Sequence, residues 1–323
     1  MSERPILVTG SSGFVGGWLL ETLARRGDGP VVGLDRTARA DRPLADFAAV
    51  DLAHPEPVAA ALARWRPRAV YHLAGQASVA EALQAPASTV EANALGTLHL
   101  LEALRRQAPD ARVLLVSSAE VYGDRAEGLL HEAEPPAPAT PYAASKVALE
   151  ALGHAWWRSY GLPVVIARPF NHTGPGQSDR FAASAFAHQI AAIEAGRQPP
   201  VLHVGDLETR RDFLDVRDVT EAYARLLAVG EPGRVYNVCR GETIRIGDML
   251  GALLALARVG IEVAPDPSRQ RAVDARARWG DPSALRAATG WHATVPWEQT
   301  LRDLLEAWRR TMPMWGDAAS PFA

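Results

Sequence analysis

The chain has 323 residues, 48% of them hydrophobic and 22% charged, with a formal net charge of −3 and a pI near 6.3. That composition buries a sizeable core and gives no broad electrostatic case for nucleic acid or an anionic membrane as partner. One cysteine, Cys239, excludes an intramolecular disulfide framework and a multi-cysteine metal site, and fits a reducing compartment.

The opening "MSERPILVTG" runs into a strand pattern without the apolar segment of a signal peptide, and no stretch of about 18 apolar residues reads as a membrane span, so a cytoplasmic protein is expected. "ILVTG" is an apolar run stopped by glycine. "FVGGWLLETLARRG" then carries apolar residues at helical spacing, and "VVGLD" reads as a second buried strand. The alternation continues through the strand "AAVDL", the helix "PEPVAAALARW", the strand "AVYHLAG", a long helix over 87–106 and the strand "RVLLVSS". Repeated strand and helix predict an α/β fold, a doubly wound parallel sheet with helices on both faces. After "PVVIARP" the pattern loosens: proline and glycine punctuate 171–177 and 197–205, and helices return at 219–227 and 246–257. The expected division is a dinucleotide-binding domain of 1–168 with 215–238, a smaller substrate-binding region of 169–214 with 239–312, and a tail of 313–323.

"TGSSGFVG" (9–16) places Gly10, Gly13 and Gly16 between the first strand and the first helix, with Phe14 and Val15 opening that helix. The first glycine permits a tight turn, the second lets backbone approach a pyrophosphate at the helix N-terminus, and the third allows close packing of helix on sheet. Asp35 ends the second strand, where a carboxylate accepts both hydroxyls of an adenosine ribose. Asp35 repels a 2′-phosphate and the adjacent Arg36 attracts one, so NAD(H) and NADP(H) both remain open, with the balance tipping to NAD.

Among 34 lysines and arginines there is one lysine, Lys146, four residues after Tyr142 in "PYAASK". If a helix begins at Pro141, the two share one face. A phenol near pKa 10 needs about 4 kcal/mol of phenolate stabilisation to fall by about 3 pH units, which a neighbouring ammonium and a cationic nicotinamide supply. Lysine fits there because its compact ammonium crowds a phenol and bonds vicinal hydroxyls, as a guanidinium does not. Ser118 closes "RVLLVSS" at the carboxyl end of a strand, where its hydroxyl would hold a carbonyl oxygen.

"TGSSGFVG", "HLAG", "SSAEVYG" and "PYAASK" together resemble the extended short-chain dehydrogenase/reductase superfamily, which acts on nucleotide sugars; the resemblance spans 8–291. It implies a Rossmann-type sheet, with Ser118, Tyr142 and Lys146 as the catalytic set. Tyr142 and Lys146 would also meet the cofactor. Asp51 and Leu52 would lie at the adenine and Leu73, Ala74 and Gly75 along the dinucleotide, while Asn93 matches a structural asparagine of the central helix. Gln76 and Ser78 would face the substrate. The family pairs subunits through helices equivalent to 87–106 and 142–160, implying a homodimer or a dimer of dimers.

"RPFNHTGPGQ" (168–177), "VGDLETRRDFLDVRDV" (204–219) and "RAVDARARWGDPSAL" (271–285) resemble the branch that handles GDP-mannose derivatives, with Leu207 where UDP- and dTDP-sugar enzymes carry glycine. The resemblance implies a GDP-sugar held by Asn171, Arg211 and Arg271 at the diphosphate and by Asp274 at the ribose. Two reactions stay open. A 4,6-dehydratase would use Glu120 to take the C5 proton of GDP-mannose. A reductase of GDP-4-dehydro-6-deoxy-D-mannose, giving GDP-rhamnose or its C4 epimer, needs only hydride and the tyrosine proton relay. "HLAGQ" and "NHTGPGQ" favour the reductase. A non-catalytic dinucleotide sensor is the reading from another class, and intact Tyr142 and Lys146 speak against it. No metal is expected: His72, His154, His172, His188 and His203 lack ligand spacing and read as capped or surface residues, with His172 beside Asn171 the one nearest the chemistry.

Overall fold

The computed structural model describes residues 4–39, 41–123, 128–267 and 277–312. Arg271, Asp274 and the tail of 313–323 lie outside the described residues. Among the described residues seven parallel strands build one sheet: β1 Ile6–Thr9, β2 Val31–Asp35, β3 Asp46–Ala49, β4 Ala69–His72, β5 Arg112–Val116, β6 Val164–Pro169 and β7 Val235–Val238. Their spatial order is β7-β6-β5-β4-β1-β2-β3. β1, β4 and β6 are buried at every position, as expected of parallel strands covered on both faces. The winding reverses between β1 and β4, and their carboxyl ends open the crevice where such sheets bind ligands.

Helices Phe14–Arg26 and Val216–Val229 cover one face through Leu19, Leu23, Val219 and Leu226. Helices Pro55–Trp65, Gly96–Gln107 and Pro141–Tyr160 cover the other through Leu62, Leu100, Leu104 and Leu149. Each fully buried leucine contributes about 1.5–3 kcal/mol relative to exposure, so these stripes hold the layers together. A third core joins helices Ala182–Glu194, Ile246–Leu254 and Trp297–Thr311 around Phe186, Met249, Leu304 and Trp308.

Three elements differ from the sequence expectation. The helix over 87–106 is broken: an α turn Pro86–Val90 passes into a π turn, Glu91–Leu95, before the α-helix Gly96–Gln107. The strand read as "AAVDL" begins earlier and ends at Ala49, and the helix read over 246–257 stops at Leu254. A small sheet not expected from the sequence places Ile244–Arg245, Arg210–Arg211, Ala277–Gly280 and Gly128–Leu130 side by side. Its last strand follows β5 in the chain, so Gly128–Leu130, ahead of helix Pro141–Tyr160, is fastened to a strand from the C-terminal third.

Candidate active site

The turn after β1 fits a dinucleotide. Gly10 has φ +71°, and a Cβ there would stand 2.8 Å from the Ala74 nitrogen. A Cβ on Gly16 would stand 2.1 Å from the Gly10 carbonyl oxygen, so only glycine lets the helix seat against the turn. Gly13 caps helix Phe14–Arg26 without a side-chain bond, leaving first-turn amides to an anion. Val15 packs on the sheet core, and Phe14 stacks on His172 at 6.4 Å between ring centroids. Asp35 accepts from the Ser12 amide (3.0 Å) and from the Arg36 amide (2.8 Å), which fixes its carboxylate at the strand end, while the Arg36 side chain is exposed. Asp51 is exposed and accepts from the Ala53 amide, and Leu52 is buried beside Gly96. Leu73, Ala74 and Gly75 continue from β4 along the same crevice.

Ser118, Tyr142 and Lys146 converge at the ends of β5 and the following helix and are 9%, 7% and 6% exposed. Helix Pro141–Tyr160 starts where the sequence places it, because Thr140 accepts from the Ala143 amide and Pro141 has no amide proton to lose. One turn on, the Lys146 ammonium donates to the Val116 carbonyl (2.9 Å) and lies 6.0 Å from the Tyr142 ring centroid. Ser118 accepts from the Glu120 amide (3.1 Å) and hydrogen-bonds the Tyr142 hydroxyl. In the protein alone, burial pushes Tyr142 up to about 12, outweighing the Ser118 hydrogen bond, and the charge of Glu120 adds to the rise. Burial also lowers Lys146 to about 8, against the opposing attraction of Glu150. At neutral pH the phenol is therefore a proton donor beside a mostly charged ammonium.

A polar layer beneath this set was only partly legible. Asn93, fully buried in the π turn, accepts from the Gln76 amide (2.8 Å) and donates to the Gln76 carbonyl (3.1 Å) and Ser145 hydroxyl (2.9 Å). Ser145 donates in turn to the Tyr142 carbonyl (2.7 Å). A Cβ on Gly75 would stand 2.4 Å from the Asn93 oxygen, so the cofactor strand-end and the tyrosine helix close on one amide. His72 is 1% exposed, so it is the capped rather than the surface residue of the two expected alternatives. Thr97 gives its proton to the Asn93 carbonyl (2.6 Å), so it accepts from His72 Nε2–H (2.9 Å); Nδ1 then accepts from Thr9 (2.8 Å), whose oxygen takes the Ala74 amide (3.2 Å). Burial holds this imidazole neutral, with its pKa pushed down to about 3. His172 is partly buried rather than a surface residue, and donates from Nδ1 to the Phe170 carbonyl, which can only accept; burial pushes its pKa below the ordinary value.

The expected substrate residues are more dispersed. Gln76 donates to the Ser78 carbonyl (2.6 Å) and Glu81 (2.9 Å), and Ser78 caps the helix Val79–Gln84 through the Glu81 amide. The Asn171 amide donates to the Asp212 carbonyl (3.2 Å), and Arg211 is buried in the small sheet. Glu120 is ion-paired with Arg278 at 3.0 Å, a partner the sequence did not reveal. Among the described residues no three His, Cys, Asp or Glu side chains cluster as a metal site requires, and no helix is long and apolar enough to cross a membrane.

A dinucleotide turn facing a buried phenol, ammonium and hydroxyl across the switch point of a parallel sheet places the protein among the NAD(P)-dependent oxidoreductases of the extended short-chain dehydrogenase/reductase type. The chain belongs to the GDP-mannose 4,6 dehydratase family, whose model matches residues 7–304. It is 46% identical to the GDP-6-deoxy-D-mannose reductase of Pseudomonas aeruginosa over 244 residues, 75% of this chain and 80% of that one. The structure of RMD from Pseudomonas aeruginosa complexed with NADPH superposes with a TM-score of 0.84 at 41% identity, covering 95% of this chain and 99% of the other. Thermus thermophilus UDP-glucose 4-epimerase in complex with NAD gives 0.85 at 34% identity, covering 94% and 99%.

Proposed function

We propose that the protein reduces the C4 ketone of GDP-4-dehydro-6-deoxy-D-mannose to a GDP-6-deoxyhexose, GDP-rhamnose or its C4 epimer. The 46% identity to a GDP-6-deoxy-D-mannose reductase carries this reading, and a phenol held protonated at neutral pH suits it. When bound, the reduced nicotinamide supplies the hydride. The Ser118 hydroxyl orients the ketone oxygen, Tyr142 delivers a proton to it, and the Lys146 ammonium stabilises the phenolate left behind. Gly10, Gly13, Gly16 and Asp35 hold the dinucleotide, with 1–168 and 215–238 as the cofactor half. Residues 169–214 and 239–312 form the sugar-nucleotide half, with Asn171, Arg211 and Arg271 at the diphosphate and Asp274 at the ribose.

The molecule is proposed to act in the cytoplasm as a homodimer. Val90, Leu95 and Leu98 on one helical stretch and Ala148, Ala151 and Leu152 on another leave an apolar strip, with Val90 42% and Leu95 45% exposed, that suits a second copy of the chain.

The test is to supply purified protein with the 4-keto-6-deoxy sugar nucleotide plus NADH or NADPH, and separately with GDP-mannose alone. Absorbance of the reduced cofactor should fall in the first mixture, with mass spectrometry showing two added hydrogens. GDP-mannose should come through unchanged. Loss of water from GDP-mannose without added reduced cofactor would instead identify a dehydratase.

A further inference from the structure

Tyr142, Lys146 and Glu150 stand at i, i+4 and i+8 of helix Pro141–Tyr160, and so on one face, and each meets one of three consecutive residues at the end of β5. The Tyr142 hydroxyl bonds Ser118, the Lys146 ammonium donates to the Val116 carbonyl (2.9 Å), and the Ser117 hydroxyl donates to Glu150 Oε1 (2.6 Å). The third contact differs from the other two because it is tied to a second strand. Arg168 of β6 forks onto Glu150, Nε to Oε1 at 2.9 Å and Nη2 to Oε2 at 2.7 Å, and the Ser117 amide donates to the carbonyl of the neighbouring Ala167 (2.8 Å). The remaining arm of the guanidinium donates to the Glu132 carbonyl (3.4 Å), and its plane lies 4.8 Å from the Tyr122 ring centroid. Ser117, Glu150 and Arg168 are all buried. Burial works against the Arg168 charge, yet the Glu150 carboxylate raises its pKa above the ordinary guanidinium value.

We propose that Glu150 is a positioning residue for the reduction: fastened to Ser117 and Arg168, it fixes the helix against β5 and β6 so that Tyr142 and Lys146 meet Ser118 at the ketone. The proposal rests on the reductase reading argued above. A buried ion pair is not needed to hold two surfaces together, since apolar residues of similar volume pack there at equal or lower cost; what a bidentate fork adds is direction. A helix that slides or rolls slightly still buries its leucines, whereas the fork admits one placement. That placement matters because displacing a reacting group by about 1 Å costs up to about 100-fold in rate. The carboxylate also bears on the site through its charge: burial lowers the Lys146 pKa, and Glu150 opposes that fall.

The experiment replaces the pair as a unit, Glu150→Leu with Arg168→Met, so that no buried charge is left alone. With the 4-keto-6-deoxy sugar nucleotide, kcat should fall about 10–100-fold, while KM for the ketone and for the reduced cofactor each stay within about threefold of wild type. Ser117→Ala, which keeps the ion pair, should lower kcat about 2–10-fold with the same unchanged KM values. A pair that only stabilises the fold would lower Tm and leave the kcat of the folded protein alone. The inference is overturned if the folded double variant keeps kcat within about threefold of wild type, or if KM rises by as much as kcat falls. Should the double variant not fold, Ser117→Ala decides, and a wild-type kcat there overturns the inference. Failure of the reductase reading would show separately, as absence of reduced-cofactor consumption by wild-type protein with the same ketone.

Discussion

Replacing Lys146 with methionine should abolish turnover and yet stabilise the cofactor-free protein at neutral pH. Burial lowers the ammonium from its ordinary 10.5 to about 8, despite the opposing pull of Glu150. At about 1.4 kcal/mol per pH unit, keeping that charge inside costs the folded state about 3 kcal/mol. Methionine removes this cost but strands the Val116 carbonyl that accepts the ammonium proton at 2.9 Å, a loss of about 1–3 kcal/mol. The net gain at pH 7 is then about 0–2 kcal/mol. The sign of the pH dependence follows from the folded value lying below the unfolded one. Between about pH 8 and 10.5 the unfolded chain binds the extra proton, so wild-type stability rises with pH relative to the variant. The penalty is fully present below that window and gone above it. Urea unfolding of both proteins at pH 7 and pH 10 should show the difference moving by about 2–3 kcal/mol in favour of wild type. An unchanged difference across that range would mean that Lys146 titrates as an ordinary lysine, and the account of its burial would fail.

Lys146→Arg keeps the charge but not its compactness, and turnover in the ketone assay should fall at least about 100-fold. Gly16→Ala forces a Cβ to within 2.1 Å of the Gly10 carbonyl; overpacking of about 1–3 kcal/mol should weaken dinucleotide affinity about 10–100-fold in calorimetric titration. Asp35→Ala should improve NADPH binding relative to NADH, and a wild-type preference for NADPH of about tenfold or more would assign the choice to Arg36 instead. Asn93→Ala leaves the Gln76 amide and carbonyl without the side chain that pairs them; a loss of about 2–4 kcal/mol should appear as a lowered Tm together with reduced kcat.

What the sequence disclosed was local. Gly10 and Gly16 could be read because each answers a steric demand within a few residues of itself, and Tyr142 and Lys146 because i, i+4 spacing is enough to put two side chains on one face. The interruption at Glu91–Leu95 was invisible because an inserted π turn leaves the apolar pattern on either side nearly intact, though it is what turns Asn93 toward Gln76 and Ser145. The pairing of Glu120 with Arg278 joins residues 158 apart in the chain, through a strand of four residues too short to announce itself. The phenol's rise to about 12 escaped because helical spacing shows which groups are neighbours but not how thoroughly water is excluded from them. The partners that cap His72 were hidden for the same reason: nothing around it in "AVYHLAG" tells of Thr9 and Thr97 arriving from other elements.

The solitary lysine gives the protein an unusual chemical profile. Every other basic side chain among the 34 is a guanidinium, so apart from any free α-amino group the molecule offers amine-directed reagents one target. With its pKa near 8, that amine is about one-tenth uncharged at pH 7, far more than a solvated lysine, and so more nucleophilic toward a small aldehyde. Reductive alkylation would therefore mark a single peptide, and the extent to which a nucleotide shields it would report occupancy of the crevice without any turnover being measured.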